Sequence, residues 1–162
     1  METTQVNLCR ALKLKNRIAS RLSRLDQKII EHNSSIKDYS EYDVRSLYAS
    51  RMRLAEQLVQ LKVDISTANQ PIQKQIFEVA ECKSLCHTLT RINTRHGPYS
   101  SGYEAVQHFA AQFRKPDVDK EVRKVEKEID RLQDELDQFN FATTISVPTM
   151  LLEQPNDQQS VS

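Results

Sequence analysis

Residues 117–140 read DVDKEVRKVEKEIDRLQDELDQFN. Within them Val118, Val122, Val125, Ile129, Leu132, Leu136 and Phe139 fall on steps of 4, 3, 4, 3, 4 and 3. Nearly every residue between them is Lys, Arg, Glu, Asp or Gln. Apolar residues on alternating steps of three and four line one face of a helix and bury it against another helix; a strand would need strict alternation. The spacing predicts a long coiled-coil helix over 117–140.

The same period recurs upstream. Leu8, Ala11, Ile18, Leu22, Leu25 and Ile29 predict a first helix over about 4–33, with Lys15 in the one skipped slot and Leu14 beside it. Thr3 or Thr4 is the expected cap. The polar stretch His32–Tyr42 reads as a loop. Ser40-Glu41-Tyr42-Asp43 resembles a capping box and opens a second helix over 41–69. Its seam is Val44, Leu47, Arg51, Leu54, Leu58, Leu61, Ile65 and Ala68. Proline disfavours helical geometry in the residue before it, so Asn69-Gln70-Pro71 reads as a tight turn. A third helix over 71–94 carries Ile72, Ile76, Val79, Cys82, Cys86, Leu89 and Ile92. Residues 95–116 are irregular and hold both glycines; Val106, Phe109, Ala110 and Phe113 have the spacing of a short helix within Tyr103–Phe113. Residues 141–147, FATTISV, alternate and are β-branched, which favours a strand. A lone strand needs a partner, and Ile92–Tyr103 is the expected one. The fold expected is all-α: long antiparallel helices in hairpins or a coiled-coil bundle, with a minor two-stranded β element. Residues 1–147 are expected to form a single helical domain. Residues 148–162 are expected to be a disordered tail apart from the cluster Met150-Leu151-Leu152.

Composition agrees with this reading. The chain has 162 residues, 38% of them hydrophobic, with 2 glycines and no tryptophan; its mean hydropathy is -0.61. Dinucleotide-binding sheets and phosphate-binding loops need glycines where no Cβ fits, and sandwiches use them in tight turns. Both classes are excluded. Apolar stripes covering about two positions in seven make a thin core, so a homo-oligomer or another protein partner is expected to complete it. No run of 18 apolar residues exists, so no membrane is expected as a partner. METTQVNLCR lacks the apolar core of a signal peptide, and the three cysteines are an odd number, so a reduced cytoplasmic setting is expected.

The net charge of +1 hides an asymmetry. Residues 1–37 carry eight basic and three acidic side chains; residues 117–162 carry five basic and eleven acidic ones. Arg10, Lys13, Arg17, Arg21, Arg24 and Lys28 form one stripe on the first helix, read as opposite its apolar stripe. Such a stripe could track a phosphate backbone. A solvated face, or pairing with Glu121, Glu126, Asp130, Asp134 and Asp137, explains it more simply, and no aromatic residues interleave with it. Nucleic acid is therefore the alternative partner, not the favoured one.

Cys82-x3-Cys86-His87 is the one cluster suggestive of metal. His87 points about 100° away from Cys86 on a helix, and no second ligand pair exists, so the cysteines read as small apolar seam residues. No metal and no cofactor are expected. His32, His87, His96 and His108 are scattered without triad spacing, and no catalytic residue is assigned. Loops carry function more often than helix faces do. A ligand site would be sought first at Thr94, Arg95, His96, Tyr99 and Tyr103, although turn chemistry alone explains Gly97-Pro98.

Residues 11–29, ALKLKNRIASRLSRLDQKI, and 54–69, LAEQLVQLKVDISTAN, with the helix that follows, resemble the small bacterial septicolysin-like proteins of helical-hairpin type. The resemblance covers about the first 95 residues, and the long fourth helix departs from it. It implies a helical fold and carries over no functional residue. The family name implies lysis, which would need a strongly apolar amphipathic segment or inserting hairpin, and the chain has neither. The expected function is a non-enzymatic structural or protein-interaction module that self-associates through its helical seams.

Overall fold

The computed structural model describes residues 2–34, 42–100 and 106–153. The fold is mostly helical with a minor β component: β1 (Thr3–Asn7), α1 (Leu8–His32), α2 (Val44–Ala68), a 3-10 turn (Gln70–Ile72), α3 (Gln73–Arg91), β2 (Gly97–Tyr99), β3 (Gln107–Phe109), α4 (Lys115–Ala142), β4 (Thr144–Pro148) and α5 (Thr149–Glu153). The chain divides into two compact units: Met1–Pro71 with Phe139–Ser162, and Ile72–Gln138.

The first unit is an antiparallel pair of helices closed at one end by a β-ribbon. Asp26, late in α1, meets Arg51, early in α2, at 2.9 Å, which fixes the helices as antiparallel. Leu8, Ala11, Leu14 and Ile18 pack against Leu54, Leu58, Leu61 and Ile65. Leu14, not Lys15, fills the skipped slot of the α1 seam. The strand partner differs from the one expected. β4 pairs antiparallel with β1, in the register Thr4↔Val147 and Val6↔Ile145. Residues 3–7 therefore form a strand where the first turns of a helix were expected. The reason is burial: this register puts Val6, Ile145 and Val147 on one face, all inside the core, and a helical start would leave β4 unpaired. The cap of α1 is consequently Asn7, not Thr3 or Thr4. Its Oδ1 accepts the Arg10 N–H at 2.9 Å, and the Leu8 N–H donates to the Thr143 carbonyl at 2.9 Å.

Residues 148–153 are ordered where a disordered tail was expected, and residues 154–162 lie outside the described residues. Leu151 of α5 enters the core, the Thr149 N–H donates to the Glu2 carbonyl at 3.1 Å, and Arg17 Nη2 donates to the Leu151 carbonyl at 2.9 Å. The second helix starts at Val44 with Asp43 as its cap; the carboxylate accepts the N–H groups of Arg45 and Ser46. Ser40 and Glu41 lie outside the described residues. Where a tight turn was expected, α2 and α3 are joined by Asn69, with helix-like backbone (φ -80°, ψ -8°), and a 3-10 turn over Gln70–Ile72.

In the second unit Leu89 near the end of α3 packs with Val118 near the start of α4, and Cys82, Cys86, Ile92, Val122, Val125 and Ile129 join them. The two helices are thus antiparallel. Their connection is not a short helix: Gln107–Phe109 is a strand, paired antiparallel with Gly97–Tyr99. Gly97 has φ +96°, a conformation that L side chains rarely adopt, and it starts an extended segment whose backbone groups need partners. β3 supplies them. Pro116 sits in the first turn of α4, where its missing N–H costs nothing.

Candidate functional site

Two faces of α2 are apolar. The inner one is the seam against α1. The outer one is Tyr48, Met52, Ala55, Val59 and Val63, on steps of 4, 3, 4 and 4. At about 100° per residue its centre lies roughly 125° around the helix from the seam. Tyr48, Met52, Val59 and Val63 are exposed by 56, 41, 61 and 52%. Together they present about 400 Å² of surface, the size of the largest apolar patch on a typical monomer, which is often functional. The inner seam has the cleaner heptad and masks this stripe. Its signal is present in the sequence all the same, as a second helical period on the same segment.

The basic stripe of α1 is only partly available. Arg10, Lys13, Arg24 and Lys28 are exposed, while Arg17 and Arg21 are half-buried. The stripe borders the core face instead of opposing it, because about 100° separates the two sets on the helix. Arg17 is committed to the Leu151 carbonyl. Lys28 lies over the Tyr42 ring, 4.9 Å from its centroid, and Tyr42 also meets the His32 ring at a 45° tilt, centroids 4.6 Å apart.

Several acidic side chains of α4, Asp119, Glu121, Glu128, Glu135 and Asp137, find partners along their own helix. Arg131 donates to both oxygens of Glu128, at 3.0 and 2.6 Å, and also to Glu135. This hydrogen bonding holds the Glu128 carboxyl below its ordinary value and raises Arg131. Glu121 pairs with Lys124 at 3.6 Å, and Asp137 accepts from Gln133 at 3.3 Å. In the first unit, the hydrogen bond to Asp26 raises the pKa of Arg51.

Of the candidate loop residues, Thr94 is half-buried, and Arg95, His96 and Tyr99 are exposed. Tyr103 lies outside the described residues. The Arg95 guanidinium sits 4.8 Å from the Tyr99 ring centroid and 5.9 Å from that of Phe109. The two rings meet edge to face at 6.1 Å. His96 Nδ1 accepts the Ala111 N–H at 3.2 Å, tying the loop across the hairpin. Phe109 belongs with these residues through β-pairing, and its place in a helical period hid that.

Cys82 and Cys86 are half-buried and free; they pack against Leu89, Val118 and Val125. Among the described residues no three His, Cys, Asp or Glu side chains gather as a metal site would need. No helix among them is long and apolar enough to cross a membrane.

No protein-family model, curated protein or solved structure matches the chain.

Proposed function

We propose that the protein is a non-enzymatic, cytoplasmic protein-interaction module that self-associates through the outer face of α2. The observation that supports this most is the exposure of Tyr48, Met52, Val59 and Val63 in one line on a helix whose inner seam is already filled. A helix apolar on two sides calls for two partners. The patch is smaller than the roughly 800 Å² per partner of a standard stable interface. The association expected is accordingly weak and concentration-dependent. A closed, two-fold arrangement would bring the same patch from both copies together.

Light scattering over a concentration series tests this. Oligomers are expected at tens of micromolar, and the Val59→Asp, Val63→Asp double variant is expected to be monomeric with unchanged helical content. A wild-type monomer at tens of micromolar would refute the proposal. The alternative, a nucleic-acid-associated protein using α1, is weakened by the engagement of Arg17 in the fold. It predicts duplex binding with a steep salt dependence.

A further inference from the structure

The end of the second unit combines cations with aromatic rings. From Thr88 to Pro116 the chain carries Arg91, Arg95, Arg114 and Lys115 against the single acid Glu104. Because α3 and α4 are antiparallel, the end of α3, the β2–β3 hairpin and the start of α4 lie at one end of the pair. Lys115 is taken up by Asp119. Arg91 approaches His87 Nε2 at 3.2 Å, which leaves its charge uncompensated. Arg95 and Arg114 have no carboxylate partner among the described residues.

Of these cations, Arg95 is the one held against aromatic rings among the described residues. It lies across Tyr99 and Phe109, which confine its side chain. Its backbone N–H is held by Asn93 Oδ1 at 3.1 Å. A guanidinium stacked on rings keeps its N–H edge for an incoming oxyanion and has already lost part of its rotamer freedom. The rings themselves are accessible: Tyr99 is 47% exposed and Phe113 37%.

We propose that this hairpin end binds single-stranded nucleic acid, with phosphates on Arg95 and Arg114 and bases stacked on Tyr99 and Phe113. A single strand fits better than a duplex, because only unpaired bases offer their faces to rings. It also fits better than an acidic peptide, which would use the cations and leave the rings idle. This site is separate from the α1 stripe, which has cations and no interleaved rings, and from the outer face of α2.

Fluorescence anisotropy with a labelled twelve-nucleotide oligouridylate in 50 mM salt is the test. Saturable binding is expected. Arg95→Gln is expected to weaken it at least tenfold and to lower the slope of log affinity against log salt by about one. Tyr99→Ala is expected to weaken it about 5- to 100-fold, and Tyr99→Phe to preserve it, since stacking needs the ring and not the hydroxyl. The Lys13→Gln, Arg24→Gln double variant of α1 is expected to bind like the wild type. Absence of binding at 50 mM salt overturns the proposal. So does loss of binding in the α1 variant with none in Arg95→Gln, which would place the contact on α1. Competition by polyglutamate as effective as by unlabelled oligouridylate overturns it too, in favour of an acidic protein partner.

Discussion

Replacing Leu151 by Ala separates two views of the C-terminal segment. If residues 148–162 were a disordered tail throughout, the change would cost nothing. In the structure Leu151 is 3% exposed and belongs to the same core as Leu8, Leu14 and Val147. Truncating a buried leucine to alanine removes its transfer free energy and leaves a cavity, costing about 2–5 kcal/mol. Leu151 sits on a five-residue helix, which can shift to fill part of the void. The lower end, about 2–3 kcal/mol, is therefore expected. The neighbouring Met150 is 48% exposed, its sulfur 3.9 Å from Gln57 Nε2. Met150→Ala is expected to cost less than about 1 kcal/mol, because little area is removed from water. Urea unfolding followed by circular dichroism reads both. A lower midpoint at unchanged slope for Leu151→Ala alone is the expected result. Equal midpoints for the two variants, within about 0.5 kcal/mol, would refute the placement of α5 in the core.

Other consequences follow from single contacts. Val147→Asp places a charge at a position with no exposure and is expected to unfold the ribbon end of the first unit, seen as a lower thermal midpoint and loss of amide protection in residues 3–7. Asp43→Ala removes the side chain that accepts two N–H groups at the start of α2; a loss of about 0.5–2 kcal/mol in urea unfolding is expected. At Gly97 an added Cβ would meet nothing within 4 Å, but φ is +96°, so Gly97→Ala is expected to cost about 1 kcal/mol or more through the backbone alone. The pKa of Glu128 is lowered from its ordinary 4.5 by Arg131. A carboxylate with a lowered folded pKa contributes stability above its unfolded value, and that contribution is lost as pH falls through the lowered one. Carboxyl NMR titration should show the Glu128 midpoint below 4.5 in the wild type and near it in Arg131→Gln.

The helices were legible because their signal is local. The heptads of residues 8–29, 44–68 and 118–139 are visible without knowledge of any partner, and buried positions such as Leu54, Leu58, Leu61, Val118, Val125 and Leu132 lie on them. The strands were legible in part. The composition of FATTISV points to a strand, but its partner lies some 140 residues away, and no local rule reaches that far. Thr3–Asn7 is short enough to be either a strand or a helix start, and the tertiary pairing with β4 decides between them. The same applies to Leu151: three apolar residues in a polar tail announce a contact without naming what they touch. At the hairpin, Arg95, His96 and Tyr99 stand out as residues of an irregular loop, where function concentrates more than on helix faces. Phe109 was placed in a helical period, since its spacing to Val106 and Phe113 imitates one.

The outer face of α2 is where fold and function meet. The inner seam, Leu54, Leu58, Leu61 and Ile65, already fixes the helix against α1, so fold stability does not require the outer residues to be apolar. Exposed valines lose χ1 freedom in a helix and carry a lower propensity than Lys, Glu or Gln would. Val59 and Val63 thus sit at positions where charged residues would favour both the helix and solubility. Single exposed apolar residues need no explanation. A line of them through four turns, with Tyr48 and Met52 at its start, is harder to account for as scatter. Tyrosine and methionine are residue types enriched at protein interfaces, and lysine and glutamate are depleted there. A stripe that lies outside the seam packed against α1 and carries an interface composition is best explained by a partner surface. The proposed self-association therefore belongs to α2 and not to the charged faces of α1 and α4.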